Sequence, residues 1–353
     1  MCPLQEPHIE IHGRAIGPGH PVYIIAEMSA NHGHDFDQAA RVIEAAKLAG
    51  ADAVKLQTYT PDTLTISCDN EYFRIQGTIW EGRTLYDLYG EAYTPWEWQP
   101  RLKEIADRLG ITLFSTPFDA TAVDFLEKMN VPAHKVASFE LVDLALLERI
   151  GATGKPVIMS TGMASLAEID EAVATLRRAG AGGIALLKCT SAYPAQPVDM
   201  NLCTIPHLAE AFGVVAGLSD HTTGLAAPVA AVALGAAIIE KHFTLDRATG
   251  GPDSAFSLEP QEFAAMVAAV REAEQALGRV CYELSAAEEK SKAFRRSLFV
   301  VEDVQVGELF TAKNLRSIRP GYGLAPRYFK QVLGRRASQA IFKGTPLDWK
   351  MIG

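Results

Sequence analysis

Cysteine is scarce in this chain. The five residues Cys2, Cys68, Cys189, Cys203 and Cys281 are scattered, odd in number and without a CxxC pair. That excludes a disulfide framework and a zinc knot and fits reduced thiols, so the cytoplasm is the expected compartment. Long basic runs are missing as well, and 33 Lys and Arg against 42 Asp and Glu leave a formal charge of −9. Neither nucleic acid nor an anionic membrane surface is an expected partner, and any anionic substrate must be held by local Lys and Arg. The opening MCPLQEPHIEIHG lacks a basic start ahead of an apolar core, so no signal peptide is expected. The longest apolar run, AAPVAAVALGAAII, is 14 residues long and contains Pro228 and Gly235. It is too short and too interrupted to span a bilayer.

What is present is an ordinary globular composition, 48% hydrophobic and 21% charged over 353 residues, with ample material for a core. After an amphipathic lead, HIEIHGRAIG, that could form a hairpin across the bottom of a barrel, strand and helix signals alternate. The strand candidates VYIIAE, AVKLQ, TLFST, HKVAS, PVIMS, GIALLK, VVAGL and AIIE are short and apolar, and each is followed by a segment with helical periodicity. Eight such pairs in about 260 residues match the count and size of a TIM (β/α)8 barrel. Gly50, Gly110, Gly154 and Gly180 stand where helices should end.

Two segments interrupt the pattern. Residues 59–93, after the second strand, are rich in aromatic and polar side chains, which reads as a lid or sugar-facing wall, or else as a surface excursion packing its own aromatics. From about residue 285 short β-like segments punctuated by glycine replace the helical period. The expected domains are a barrel over 1–281, a linker over 282–294 and a small β-rich domain over 295–353. Sixty-odd residues make a marginal core, so that domain should dock on the barrel or on another subunit.

In a parallel barrel all strand C-termini open on one side. The residues there include Glu27, Asn31 and His32; Lys55 and Gln57; Ser115 and Thr116; Lys135 and Ser138; Ser160; Lys188, Ser191 and Tyr193; His221; Glu240 and His242. Within the stretch 214–253, His221 and His242 each follow a strand, so two imidazoles would face one cavity, with Asp220, Glu240 and Asp253 nearby. Such a set suits Mn, Zn, Co or Fe better than Mg or Ca. Charged residues inside apolar strands are expensive to bury unless paired or bound to ligand. Three lysines among hydroxyls therefore read as an anion site for a phosphate with a carboxylate, with Lys55, Lys135, Ser138, Ser160 and Ser191 foremost. The plain alternative is a set of internal salt bridges to Glu140 or Glu240. A Schiff-base lysine at Lys135 or Lys188 is a further alternative, which the histidine pair argues against. Glu27, ending the first strand, could serve as general base or support a metal.

Taken together, SANHGH, ADAVKLQT, FSTPFD, KVASFE, STGM, KCTSAYP, GLSDHTTG, IIEKHFTLD, GPDS and IRPGYG resemble the sialic acid (nonulosonate) synthase family over nearly the whole chain. Within that family SANH, QTYTPDTLT, the segment TIWEGRTLYDLYGEAYTPWEW over 78–98 and CTSAYP are most similar to the pseudaminic acid branch. The N-acetylneuraminate branch usually has Asn where this chain has Ser191. The resemblance implies a TIM barrel followed by an antifreeze-like (SAF) domain, and a condensation of phosphoenolpyruvate with an N-acetylated amino sugar, here a 2,4-diacetamido-2,4,6-trideoxyhexose. It implies a divalent ion, usually Mn with Mg or Co as alternatives, on His221 and His242. Phosphoenolpyruvate would meet Lys55, Thr116, Lys135, Ser138, Ser160, Ser191 and Tyr193, with Glu27, Lys55 and Lys135 catalytic. The sugar would meet Gln57, Tyr193, Asp253 and Arg319, the last reaching it across a domain-swapped homodimer. Alternatives are an N-acetylneuraminate or legionaminate synthase, an octulosonate- or heptulosonate-type synthase, or a non-catalytic carbohydrate-binding protein.

Overall fold

The computed structural model describes residues 7–353; Cys2 lies outside them. Two antiparallel strands, β1 (Ile9–Ile11) and β2 (Arg14–Ile16), form the opening hairpin. Eight parallel strands then close a barrel: β3 (Tyr23–Glu27), β4 (Ala53–Thr58), β5 (Thr112–Pro117), β6 (His134–Val136), β7 (Pro156–Ser160), β8 (Gly183–Cys189), β9 (Val215–Asp220) and β10 (Ile238–His242). β10 pairs with β3 in parallel, which completes the ring. The hairpin sits under the barrel: Ile9, Ile11 and Ile16 share a core cluster with Tyr23, Ile25, Ala53, Phe114 and Ile158.

The alternation of each strand decides which side chains enter the barrel. Tyr23 and Ile25 belong to the interior cluster and Ile24 and Ala26 to the cluster beneath the helices, so Glu27 points inward. By the same count Lys55 follows Ala53 inward, Lys135 follows Ala133, Ser160 follows Ile158, and Glu240 and His242 follow Ile238. Apolar residues fill the lower layers and polar ones the uppermost, where the strand C-termini open. Lys188 is out of phase with the inward Leu187. It stands on the outer face, its Nζ donating to the Cys189 carbonyl at 2.7 Å. The expected group of three lysines is therefore a pair inside, and Lys188 is not positioned for a Schiff base in the barrel.

Two expected strands run further than their apolar residues indicate. β9 continues to Asp220 and β10 to His242 because Lys241 pairs with Asp220 and His242 with Glu27 in the ladder. Gly50, Gly110, Gly154 and Gly180 all have positive φ, as helix-ending glycines require.

The described residues divide into two compact units, the first ending at Gly278 and the second covering Arg279–Gly353. The second unit has one regular antiparallel pair, β11 (Ser297–Val300) with β12 (Leu315–Ile318), extended by isolated bridges such as Val304 to Ile341. Its core is small and apolar, built on Leu298, Val300, Phe310, Leu315 and Leu347. Among the described residues no helix is long and apolar enough to cross a membrane.

Candidate active site

Two ammonium groups and two carboxylates occupy the top of the barrel interior. Lys55 Nζ lies 2.6 Å from Glu27 Oε2 and 3.5 Å from Glu240 Oε1, and it donates to Thr116 Oγ1 at 3.2 Å. Lys135 Nζ donates to Ser160 Oγ at 2.7 Å and to the Val136 carbonyl at 2.9 Å, but stands 3.9 Å from Glu240. Each of these four charged side chains is about 5% exposed or less. Burial alone would lower both ammonium pKa values. For Lys55 the two close carboxylates more than offset it and the pKa is raised; for Lys135, with its more distant partner, the pKa is lowered. Lys135 is thus the cation with most to gain from an incoming anion. Burial pushes the Glu27 carboxyl up against the pull of Lys55, whereas Glu240, buried beside Lys135 and Lys55, is held down.

The salt-bridge alternative is therefore correct in part, with Glu27 and Glu240 rather than Glu140 as the ion-pair partners. The sequence places Glu240 near the histidines and as a salt-bridge partner, without a binding or catalytic role of its own. The inward alternation of β10 would have pointed to it.

A hydroxyl cradle adjoins the lysines. Ser138 Oγ accepts from the Gly162 backbone N–H at 3.0 Å. A Cβ at Gly162 would lie 2.2 Å from Ser191 Oγ and 2.7 Å from Ser138 Oγ. The loops after β6, β7 and β8 thus bring Ser138, Gly162 and Ser191 together, a convergence that requires glycine at its centre. On the β3 and β4 side, Gln57 Nε2 donates to Glu27 Oε1 at 3.1 Å and to Ser29 Oγ at 3.0 Å, and Ser29 Oγ donates to the Asp253 carboxylate. Burial pushes the Asp253 pKa up.

The two imidazoles are neighbours, with ring centroids 5.3 Å apart. His221 Nδ1 donates to the Thr190 carbonyl at 2.9 Å, which leaves its Nε2 as a lone-pair donor. His242 is held neutral, its pKa well below the usual range because of burial, and its Nδ1 is buried without a hydrogen-bond partner. Glu240 Oε2 is likewise buried and unpartnered. Burial would lower the His221 pKa, but its contacts with Cys189 and the Thr190 carbonyl raise it. Two adjoining imidazoles, one of them held neutral, beside an unsatisfied carboxylate oxygen fit a divalent borderline metal, whose binding would displace any proton from His221. Among the described residues no group of three or more His, Cys, Asp and Glu side chains is arranged to hold an ion. The protein would supply His221 and His242, and substrate and water the other positions, as in open catalytic sites.

Two rings flank the imidazoles and a third packs on one of them. Tyr193 lies 4.4 Å from His221 and 5.0 Å from Phe256, and Phe256 lies 4.8 Å from His242. Trp80 from the 59–93 insertion packs on Tyr193 at 5.7 Å, so the insertion reaches the site instead of packing only on itself. Asn31 and His32 do not line it. Asn31 Nδ2 bonds the Phe243 carbonyl and Ser257, and His32, its pKa lowered to about 4 by burial, hydrogen-bonds Thr94. They brace the loop after β3. Arg319 lies in the second unit, exposed, just after β12.

Comparison with known proteins accords with this geometry. The chain is 45% identical over 329 residues to pseudaminic acid synthase of Helicobacter pylori, covering 93% of this chain and 97% of that protein. It is 46% identical to pseudaminic acid synthase of Campylobacter jejuni, covering 92% and 95%. The crystal structure of N-acetylneuraminic acid synthetase from Leptospira borgpetersenii, in complex with citrate, superposes with a TM-score of 0.73 at 34% identity, over 81% of this chain and 95% of that one. The NeuB family model matches residues 42–282 and the SAF domain model residues 295–353. With a family match across most of the barrel and close relatives spanning almost the whole chain, this protein belongs to the NeuB family and carries a SAF domain.

Proposed function

We propose that this chain is a pseudaminic acid synthase, joining phosphoenolpyruvate, 2,4-diacetamido-2,4,6-trideoxy-L-altrose and water into the nine-carbon acid with release of phosphate. The observation that carries the reading is that Lys55 and Lys135 meet Glu27 and Glu240 at the same strand ends that bring the His221 and His242 imidazoles together. Such a site can bind a phosphorylated carboxylate next to an aldehyde. The names of the relatives at 45% and 46% identity support the choice of sugar.

Lys55, Lys135, Thr116 and Ser160 bind the phosphoenolpyruvate carboxylate and phosphate, with Ser191 and Ser138, the latter oriented by the Gly162 backbone N–H, completing the cradle and Tyr193 closing its edge. Gln57, Tyr193 and Asp253 orient the open-chain sugar so that its aldehyde carbon faces the methylene carbon of phosphoenolpyruvate. A divalent ion on His221 and His242, Mn in this reading with Mg or Co as alternatives, supplies polarisation of the aldehyde oxygen when bound. The C–C bond forms from the enol double bond, and the cationic charge left on the phosphate-bearing carbon is stabilised by the Glu27 and Glu240 carboxylates. Water adds there, oriented by Glu27. One of its protons ends on the new hydroxyl and the other on phosphate, which leaves by C–O cleavage as the C=O forms.

The reading includes a homodimer in which Arg319 of one copy reaches the sugar site of the other, and a cytoplasmic location consistent with the unpaired thiols of Cys68, Cys189, Cys203 and Cys281. The test is phosphate release with Mn and phosphoenolpyruvate across three acceptors: the trideoxy-altrose, N-acetylmannosamine and a legionaminic-type precursor. The altrose should be turned over fastest, and excess chelator should stop the reaction until Mn or Co is restored. Preference for another acceptor would reassign the sugar. Full activity in chelator with borohydride trapping of a lysine would replace the mechanism by a Schiff-base one.

A further inference from the structure

Trp80 comes from the insertion, yet it is tied to the site by two contacts. Its ring packs on Tyr193 with centroids 5.7 Å apart, and its Nε1 donates to the Pro252 carbonyl at 2.9 Å, next to Asp253. With its single N–H committed to Pro252, the indole has only apolar surface left to offer. Tyr193 and Trp80, both partly exposed, therefore form a continuous aromatic wall that begins against His221, with the buried Phe256 packed between Tyr193 and His242 behind it. Polar recognition is available elsewhere, from the Gln57–Ser29–Asp253 chain of hydrogen bonds. An acceptor whose aldehyde sits at the imidazoles must lay its far carbons along one of these surfaces.

We propose that Trp80 is a specificity-determining residue: its indole forms the outer part of an apolar wall that packs the methyl-bearing end of the sugar. It thereby favours a 6-deoxy diacetamido acceptor over one ending in a hydroxymethyl group. This rests on the proposed reading of Tyr193 as part of the sugar site. A terminal hydroxyl held against the wall loses water partners and finds no donor or acceptor in return. A difference of this kind in an apolar pocket is worth roughly 10- to 100-fold in kcat/KM.

The experiment compares kcat/KM for 2,4-diacetamido-2,4,6-trideoxy-L-altrose and N-acetylmannosamine in the intact enzyme, Trp80→Ala and Trp80→Phe, at saturating phosphoenolpyruvate and Mn. Where turnover of the second sugar is below detection, its inhibition constant is used. Trp80→Ala should lower kcat/KM for the trideoxy sugar by about 10- to 100-fold, through KM, while changing the value for N-acetylmannosamine little. The KM for phosphoenolpyruvate should not move. Trp80→Phe keeps an apolar ring without the N–H and should retain most of the preference. Should Trp80→Ala fail to fold, Trp80→Leu should contract the ratio in smaller measure. An equal loss for both sugars, no loss, or a loss confined to phosphoenolpyruvate would overturn the assignment. An unsubstituted enzyme inactive with both sugars would overturn the proposed function and this inference with it. An active one whose selectivity survives in Trp80→Ala overturns the inference alone.

Discussion

Glu27 is the residue whose surroundings most favour a role in proton handling. It is buried, it accepts hydrogen bonds from the Ser29 backbone N–H at 3.0 Å and Gln57 at 3.1 Å, and burial pushes its carboxyl up although Lys55 is 2.6 Å away. Glu27→Gln preserves the shape and removes the charge. Turnover should fall by about 10²- to 10⁴-fold, while phosphoenolpyruvate affinity measured by calorimetry changes little. Unchanged turnover would remove Glu27 from the chemistry. Gly162 acts by what it lacks. Its missing Cβ is the space between Ser138 and Ser191, so in Gly162→Ala the KM for phosphoenolpyruvate should rise at least about 10-fold, with the thermal midpoint nearly unchanged, since one mispositioned binding group costs about 1–3 kcal/mol. A normal KM would show that the anion does not use this cradle.

At the scale of elements, the inward faces of the strands set the chemistry and the outward faces hold it in place. Asp220 and Lys241, each adjacent to a candidate metal ligand, point away from the cavity and form a fully buried ion pair at 2.5 Å between β9 and β10. Lys241 Nζ also donates to the Thr222 carbonyl beyond β9. Breaking such a pair from one side leaves a buried charge without a partner. Lys241→Met should therefore destabilise the barrel by about 3–5 kcal/mol in denaturant unfolding, and the double variant Asp220→Asn with Lys241→Met should recover part of that loss. Equal losses in the single and double variants would mean that the pair is not coupled.

The eight barrel strands were legible in the sequence because each is a short apolar run ahead of a helical period. The register of those runs also carried Glu27, Lys55, Lys135 and the histidines to one end. The same alternation, applied to β8 and β10, separates Lys188 from the cavity and brings Glu240 into it. What the sequence could not disclose depends on contacts between distant residues. The seat of Trp80 is fixed by Pro252, far along the chain. The Ser138, Gly162 and Ser191 cradle exists only once three loops converge, and the motif containing Asn31 and His32 looks functional until its hydrogen bonds show it bracing a loop.

The whole molecule is acidic, with a net charge of −9, yet it concentrates two ammonium groups at the end of the barrel where the strands open. Attraction of an anionic substrate is thus local, supplied by Lys55 and Lys135 within a site walled from water. The chemistry asked of that site is addition of water at carbon followed by C–O cleavage, which differs from simple phosphate hydrolysis in the origin of one oxygen atom. The most direct measurement is the ¹⁸O content of phosphate released in H2¹⁸O with Mn, phosphoenolpyruvate and 2,4-diacetamido-2,4,6-trideoxy-L-altrose. Phosphate that appears only when the sugar is present and carries no label is the expected result. Labelled phosphate, or release that does not need the sugar, would contradict the synthase assignment.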